Sequence, residues 1–164
     1  KMLENEGFEF EAADGSFHLL LARGLGLGEE HFVFESYRVI VEKRGEGSKP
    51  ISEATVRLRV DGRSIYTVAE STGPISALDK ALRLAVEKVF PKVNEVQLKD
   101  YKVRILESNM GSNARTRVLI ESADEAAFWG TVGVSGNIIE ASWQAIRDSI
   151  EYKLFRDSLP KPAD

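Results

Sequence analysis

The sequence lacks cysteine, contains only two histidines and has no long apolar run. Without cysteine the chain can form neither disulfides nor thiolate metal sites, a composition typical of cytoplasmic proteins. No apolar stretch approaches the roughly 20 residues that a membrane-spanning helix needs. The first residues also lack the features of a signal peptide. We therefore expect a cytoplasmic globular chain with no membrane partner.

An excess of positive charge is also missing. Twenty-two Lys and Arg stand against 26 Asp and Glu, a formal net charge of −4. Because nucleic-acid binders usually carry a basic excess, we expect no nucleic-acid partner. The 164 residues are 43% hydrophobic, which suffices to fill the core of a small domain. The chain begins with Lys1 rather than Met, which predicts a fragment of a longer protein.

Groups that could perform catalysis are scattered. His18 and His31 have no third metal ligand near them in sequence, and Ser71 lacks both the flanking glycines of a nucleophile elbow and a matching histidine. The carboxylates Glu121, Asp124, Glu125 and Glu140 are scattered, as expected of a solvated surface. The sequence therefore predicts no catalytic residue, no metal site and no cofactor in this chain.

The chain contains an internal repeat. Residues 67–77 (TVAESTGPISA) align without a gap with residues 131–141 (TVGVSGNIIEA), at an offset of 64 residues. The same offset places Tyr37 on Tyr101. A repeat of this length with only two copies is too long for a solenoid, and it indicates a duplicated supersecondary unit.

Each copy has the pattern of three strands followed by a helix. Alternating apolar residues predict strands over 34–41, 54–60, 64–70, 96–106, 116–121 and 128–134, and helical spacing predicts helices over 75–90 and from Asn137. The core side of the fourth strand is predicted to hold Val96, Leu98, Val103 and Ile105. The helix over 75–90 is predicted to bury an alanine row and a stripe of Leu78, Leu82, Val86 and Val89.

A further helix precedes the first copy. Helical spacing predicts it over 16–25, with Asp14 as its cap and an apolar face made by Phe17, Leu20, Leu21 and Leu25. Three glycines at 24, 26 and 28 end the helix and form a hinge.

The expected fold class is α+β: a leading helix and then two β-β-β-α units, with antiparallel sheets packed against helices and a dimerising surface. The expected segments are a linker region with the leading helix (1–33), the first unit (34–92), the second unit (93–157) and a tail (158–164).

A polar, glycine-containing turn precedes each repeated helix. Gly73 and Asn137 stand at these turns, where the exposed amides of a helix N-terminus suit a carboxylate. The apolar residues Ile75, Leu78 and Ile139 lie next to them. Simple helix capping and a site for a branched amino acid both fit this pattern.

Several segments resemble one known family. They are TVAESTGPISALDKAL (67–82), LKDYKVRIL (98–106) and GVSGNIIEASW (133–143), and they resemble the C-terminal regulatory (dimerisation) domain of the 2-isopropylmalate synthase family. GFEFEAAD (7–14) and YRVIVEKR (37–44) resemble its citramalate synthase branch in particular.

This resemblance implies the function of a longer parent. In this family an N-terminal TIM-barrel domain, an acyltransferase that uses a divalent metal, joins acetyl-CoA to a 2-keto acid. The domain that follows dimerises and binds the end-product amino acid as a feedback inhibitor. The citramalate branch implies isoleucine as the effector, and the isopropylmalate branch implies leucine. The fragment itself is expected to be catalytically silent.

The resemblance also implies an effector site. The effector-binding positions of the family fall on Ser71, Thr72, Gly73, Pro74, Ile75, Ala77, Leu78, Asp100, Tyr101, Asn137, Ile138 and Ile139. Two other functions are compatible with the predicted element order. One is a double-stranded RNA-binding module, against which the acidic charge argues. The other is a module that only dimerises.

Overall fold

A computed structural model describes residues 7–106 and 114–160. They form two compact units, of which the first comprises residues 32–94 and the second combines the described residues before 32 with those after 94. The predicted order of a leading helix and two β-β-β-α units is confirmed. The part of the predicted tail beyond residue 160 lies outside the described residues.

The first unit is a three-stranded antiparallel sheet with one helix. Its strands are β1 (Phe32–Glu42), β2 (Ile51–Val60) and β3 (Arg63–Ser71), in the order β1-β2-β3. Asp61 and Gly62 both have positive φ values, of 49° and 72°, as a two-residue hairpin turn requires. The helix α1 (Pro74–Val86) follows β3, and a 3₁₀ turn (Pro91–Glu95) leads out of the unit.

The core of the first unit lies between β2 and α1. The alternation predicted for β2 is confirmed, since its inward residues Ala54, Val56, Leu58 and Val60 are all fully buried. Both predicted rows of α1 are buried as well: Ala77, Leu78, Ala81, Leu82, Ala85 and Val86. Val89 was predicted in this stripe but is 37% exposed, because the helix ends at Val86.

The second unit repeats this architecture. Its strands are β4 (Gln97–Leu106), β5 (Arg115–Ala123) and β6 (Phe128–Ser135), in the order β4-β5-β6, followed by α2 (Ile138–Ser158). The prediction of a buried β4 is wrong for Leu98, Val103 and Ile105, which are 40%, 42% and 69% exposed. The reason is that α2 crosses β5 and β6, while β4 is an edge strand with a bulge between Leu98 and Asp100.

The duplication extends to hydrogen bonds. Thr67 pairs with Val56 in one sheet and Thr131 pairs with Ile120 in the other, so both sheets have the same register. The hydroxyl of Thr67 donates to the Ala81 carbonyl at 2.6 Å, and that of Thr131 donates to the Ala145 carbonyl at 2.7 Å. Each unit thus fastens its third strand to its helix through the same buried threonine.

The leading helix, here α0 (Asp14–Gly24), packs against β6 and α2 in the second unit. Its predicted cap is wrong: Asp14 makes no capping bond and accepts a hydrogen bond from the Gly130 amide instead. The predicted end is confirmed, with Gly26 in the left-handed region (φ 66°) and the Leu27 amide donating to the Ala22 carbonyl.

The apolar face of α0 is also different from the prediction. The buried residues are Gly15, Ser16, Leu19 and Ala22, whereas Phe17, Leu20, Leu21 and Leu25 are between 38% and 70% exposed. Small residues face β6 because the two backbones approach closely there. The apolar stripe that the sequence pattern assigned to the core therefore faces outward.

Candidate functional site

The turn between β3 and α1 leads into a helix N-terminus that no side chain caps. Gly73 is the cap residue, with extended backbone (φ −134°, ψ 153°), and Pro74 follows at the first helical position. The helix has no side-chain cap bond and no acidic residue in its first turn. The first-turn amides therefore keep their partial positive charge for an anion.

A small polar cluster stands beside this N-terminus. The hydroxyls of Ser71 and Ser76 are 2.8 Å apart, and Lys80 Nζ lies 3.4 Å from both the Ser71 hydroxyl and the Glu70 carbonyl oxygen. Lys80 is exposed, so its ammonium group can reach a ligand at the turn. A cation, two hydroxyls and free amides together form a suitable environment for a carboxylate.

The predicted apolar positions lie beneath and beside the turn. Ala77 and Leu78 are fully buried and form the floor of the turn within the first unit. Pro74 and Ile75 are half-buried, and Thr72 is exposed. The apolar surface available at this turn is therefore that of Pro74 and Ile75, because the side chains of Ala77 and Leu78 are already used in the core.

The equivalent turn of the second unit is capped by its own side chain. Asn137 Oδ1 accepts from the amides of Ile139 at 2.8 Å and Glu140 at 3.4 Å. Ile138 is 44% exposed, and Ile139 is half-buried. Because Asn137 already satisfies these amides, capping explains this turn and an anion has less to gain here.

Tyr101 lies near the same turn. Ser142 donates to the Ile138 carbonyl at 2.7 Å, and its hydroxyl is 2.8 Å from that of Tyr101. The Tyr101 amide donates to Asp100 Oδ1, and Lys102 Nζ lies 2.8 Å from Asp100 Oδ2. The hydrogen bond from Lys102, followed by the one from the Tyr101 amide, lowers the pKa of Asp100.

The predicted site residues thus form two groups. Residues 71–78 lie together in the first unit, and Asp100, Tyr101 and residues 137–139 belong to the second. Within the second unit Tyr101 contacts α2, whereas Asp100 pairs with Lys102 on the other face of β4. The site prediction omitted Ser76, Lys80 and Ser142. Ser76 and Lys80 carry a readable signal, since they are four residues apart on a helix and so share a face with the turn. Ser142 carries none, because its contact with Tyr101 crosses from β4 to α2.

Other kinds of site have little support in the described residues. A cavity of about 20 Å³ beside α0 and α2 has room for one water molecule but not for an amino acid. Over residues 7–106 and 114–160, no group of three or more His, Asp or Glu side chains is arranged to hold a metal ion. No helix in this part of the chain is long and apolar enough to cross a membrane.

Two β-β-β-α units in one register, each with a polar turn before its helix, define an internally duplicated α+β domain. Residues 11–154 match the LeuA allosteric (dimerisation) domain, and the chain belongs to this family. The expected family is therefore confirmed.

Relatives fall into two groups of synthases. The chain is 55% identical to an (R)-citramalate synthase from Aquifex aeolicus over 157 residues and 52% identical to one from Geobacter sulfurreducens over 156 residues. These matches cover 96% and 95% of this chain and 30% of each relative. A 2-isopropylmalate synthase from Aquifex aeolicus is 30% identical over 128 residues, or 78% of this chain and 22% of the relative. The chain thus spans 30% of the length of these two citramalate synthases.

Proposed function

We propose that this chain is the regulatory domain of a citramalate synthase, that it forms a homodimer and that it binds isoleucine as a feedback inhibitor. The parent would be a cytoplasmic acyltransferase that condenses acetyl-CoA with pyruvate on an N-terminal TIM barrel with a divalent metal. The choice of branch is supported by 55% identity to a citramalate synthase against 30% to a 2-isopropylmalate synthase of the same organism. Leucine is the alternative effector.

One observation supports a ligand with a carboxylate group. The helix α1 begins without a side-chain cap, while the duplicate helix α2 is capped by Asn137. The free amides of the first turn of α1, together with Lys80 and the hydroxyls of Ser71 and Ser76, would receive the carboxylate of the effector. Pro74 and Ile75 would contact its branched side chain. Thr72 and Gly73 form the turn, and Ala77 and Leu78 support it from the core.

The second group of predicted residues belongs to the same proposal. Tyr101, held through Ser142 to the first turn of α2, offers with Ile138 and Ile139 a hydroxyl beside apolar surface. Asp100 lies on the opposite face of β4, where it pairs with Lys102. The ammonium group of an amino acid needs an anionic partner, and the exposed carboxylate of Asp100 is the group proposed for it.

Inhibition requires that the effector favour one arrangement of the parent over another. A ligand shifts such an equilibrium only by its differential affinity, typically about 1–3 kcal/mol. The leading helix is the proposed transmitter, because it is fixed to the second unit on one side and presents an apolar stripe on the other. Such an exposed stripe is typical of a protein contact surface.

The test is a calorimetric titration of the chain with isoleucine, leucine and valine. We expect isoleucine to bind most tightly, and Lys80→Met to weaken it by about tenfold, the value of a hydrogen bond to a charged group. Lys88→Met is the matched control, because Lys88 is exposed just beyond the end of the same helix. Tighter binding of leucine would favour the 2-isopropylmalate synthase branch instead. No binding of any of the three at millimolar concentration would contradict the effector site and favour a module that only dimerises.

A further inference from the structure

The third strand of each unit is an edge strand, and the structure closes only one of these edges. In β6 three amides point away from β5, and each donates to a side chain: Gly130 to Asp14 (2.8 Å), Val132 to Ser16 (3.0 Å) and Val134 to Gln144 (2.9 Å). The leading helix and α2 thereby satisfy these three amides of the edge.

The corresponding amides of β3 have no such partners. Because both sheets have the same register, Tyr66, Val68 and Glu70 occupy the places of Gly130, Val132 and Val134, and their amides point away from β2. No described residue accepts a hydrogen bond from these three amides. The Glu70 carbonyl receives one long contact from Lys80, which leaves its second lone pair free.

A segment like the one that precedes and forms α0 could not close the β3 edge in the same way. A β-carbon at position 130 would lie 1.9 Å from the Ala12 carbonyl oxygen, so the docked segment requires glycine there. β3 has Tyr66 at that place, with its ring 5.2 Å from the Arg57 guanidinium and 54% exposed. The occupant of this edge must therefore be of another kind.

We propose that β3 pairs in antiparallel fashion with β3 of a second copy of this chain, about a two-fold axis at Thr67. This inference rests on the proposed dimerisation and assigns its surface. β3 has nine residues and no bulge, whereas β1 has a bulge between Phe34 and Ser36. A regular, unpaired strand is the kind of edge that accepts another strand.

The outward-pointing groups allow a two-fold axis at a residue but not between two residues, and an axis at Thr67, the middle residue of β3, pairs the largest number of them. With the axis at Thr67, Tyr66 lies opposite Val68 of the second copy and Ser64 lies opposite its Glu70, which gives about eight main-chain hydrogen bonds. Tyr66 and Val68 are 54% and 46% exposed in the single chain, and an aromatic side chain opposite a β-branched one is a favourable cross-strand pair.

Charge supports the same register. Glu53 and Glu70 lie directly opposite each other at one end of the β2–β3 pair, and Arg59 and Ser64 lie at the other end. Two like charges at opposite positions destabilise a sheet. The two-fold axis places Glu70 of each copy opposite Ser64 of the other, so no like charge lies directly opposite Glu70 across the axis. Arg59, which pairs with Glu35 beside Ser64, leaves that end of the sheet without net charge.

The test uses the absence of cysteine from the chain. Opposed residues in an antiparallel pair have Cα atoms about 5.5 Å apart, within the range of a disulfide. Tyr66→Cys and Val68→Cys variants, coexpressed and oxidised, should yield a disulfide-linked dimer. Neither variant alone should do so, because identical positions would be more than about 7 Å apart. Coexpression of Ile40→Cys with Val68→Cys is the control, since Ile40 is also exposed but lies on β1.

Sedimentation equilibrium of the unmodified chain measures its oligomeric state. This measurement tests the proposed dimerisation separately from the pairing of β3 with β3. A dimer whose coexpressed variants cross-link no better than the control would place dimerisation on another surface and overturn only this inference. A chain that stays monomeric would overturn both. Cross-linking of Val68→Cys alone would place the axis at Val68 and overturn the pairing proposed here.

Discussion

Gly130 lies directly against the Ala12 carbonyl oxygen, which a β-carbon at position 130 would approach to 1.9 Å. This contact joins the segment before the leading helix to the edge of β6. It is continued by the hydrogen bonds from the Gly130 amide to Asp14 and from the Val132 amide to Ser16. The docking of the leading segment thus depends on one residue without a side chain.

We therefore expect Gly130→Ala to displace the leading segment. Neither backbone can yield easily, so the substitution should lower the free energy of unfolding by about 2 kcal/mol. Hydrogen exchange should show loss of protection in residues 14–24, while the first unit stays protected. Gly136→Ala is the control, because a β-carbon there meets no atom within 4 Å. Unchanged protection in Gly130→Ala would contradict the close contact.

A buried ion cluster makes the stability of the second unit depend on pH. Asp124 and Lys153 have side chains 2% and 3% exposed and lie 2.6 Å apart, and Arg156 also contacts Asp124. The expectation that Asp124 lies on a solvated surface is therefore wrong, because two cations on α2 hold it in the interior. Burial opposes the ionisation of Asp124, but hydrogen bonds from Lys153, the Ala126 amide and Arg156 outweigh it. Together they hold the pKa of Asp124 well below its usual range.

A lowered pKa in the folded state stabilises the protein above the unfolded-state value, near 3.8, and this contribution disappears as the pH falls below that value. We expect Asp124→Asn to cost about 3 kcal/mol at pH 7, because Lys153 and Arg156 lose a buried partner. The difference from the unmodified chain should shrink as urea unfolding is repeated from pH 5 down to pH 2.5. Glu42→Gln, which removes an exposed ion pair with Arg44, should leave stability unchanged at every pH. A constant difference over this range would contradict the ion cluster.

The uncapped turn before α1 allows effector binding to be separated from folding. Gly73 has φ −134°, and a β-carbon there meets no atom within 4 Å, so Gly73→Ser fits without strain. Its hydroxyl would cap the amides that we assign to the effector carboxylate. Stability should stay within a few tenths of a kcal/mol or rise slightly, while calorimetry should show weaker binding of isoleucine.

The second turn provides the reciprocal variant. Asn137→Ala removes a cap and should cost about 1 kcal/mol of stability, whereas Gly73→Ser adds one. If Gly73→Ser binds isoleucine as well as the unmodified chain does, the carboxylate does not sit at the first turn of α1.

The sequence predicted the elements more reliably than their surroundings. Thr67 and Thr131, 64 residues apart, revealed the duplication, and the structure gives them the same hydrogen bond to the helix that follows. The alternation of apolar residues predicted burial wrongly where burial depends on an element distant in sequence. Val103 and Ile105 alternate as a buried strand would, yet α2 passes over β5 and β6 instead.

The candidate site likewise contains features that the sequence predicts and contacts that only the tertiary structure shows. The glycine turn and its flanking residues could be read from the sequence, and so could the capping ability of Asn137. The contact of Tyr101 with Ser142 could not, since it joins β4 to α2 across 41 residues. Its existence depends on how the helix lies on the sheet.

By itself the sequence determined the duplicated β-β-β-α order, the turns before both helices and the family, because periodicity, turn residues and motifs are local properties of the chain. Only the tertiary structure decided that Gly15 and Ser16 rather than Phe17 and Leu20 face the core, and that β6 is closed while β3 is open. The physical reason is that hydrogen bonds at a sheet edge and close backbone contacts join residues more than 100 positions apart, and no local pattern records them.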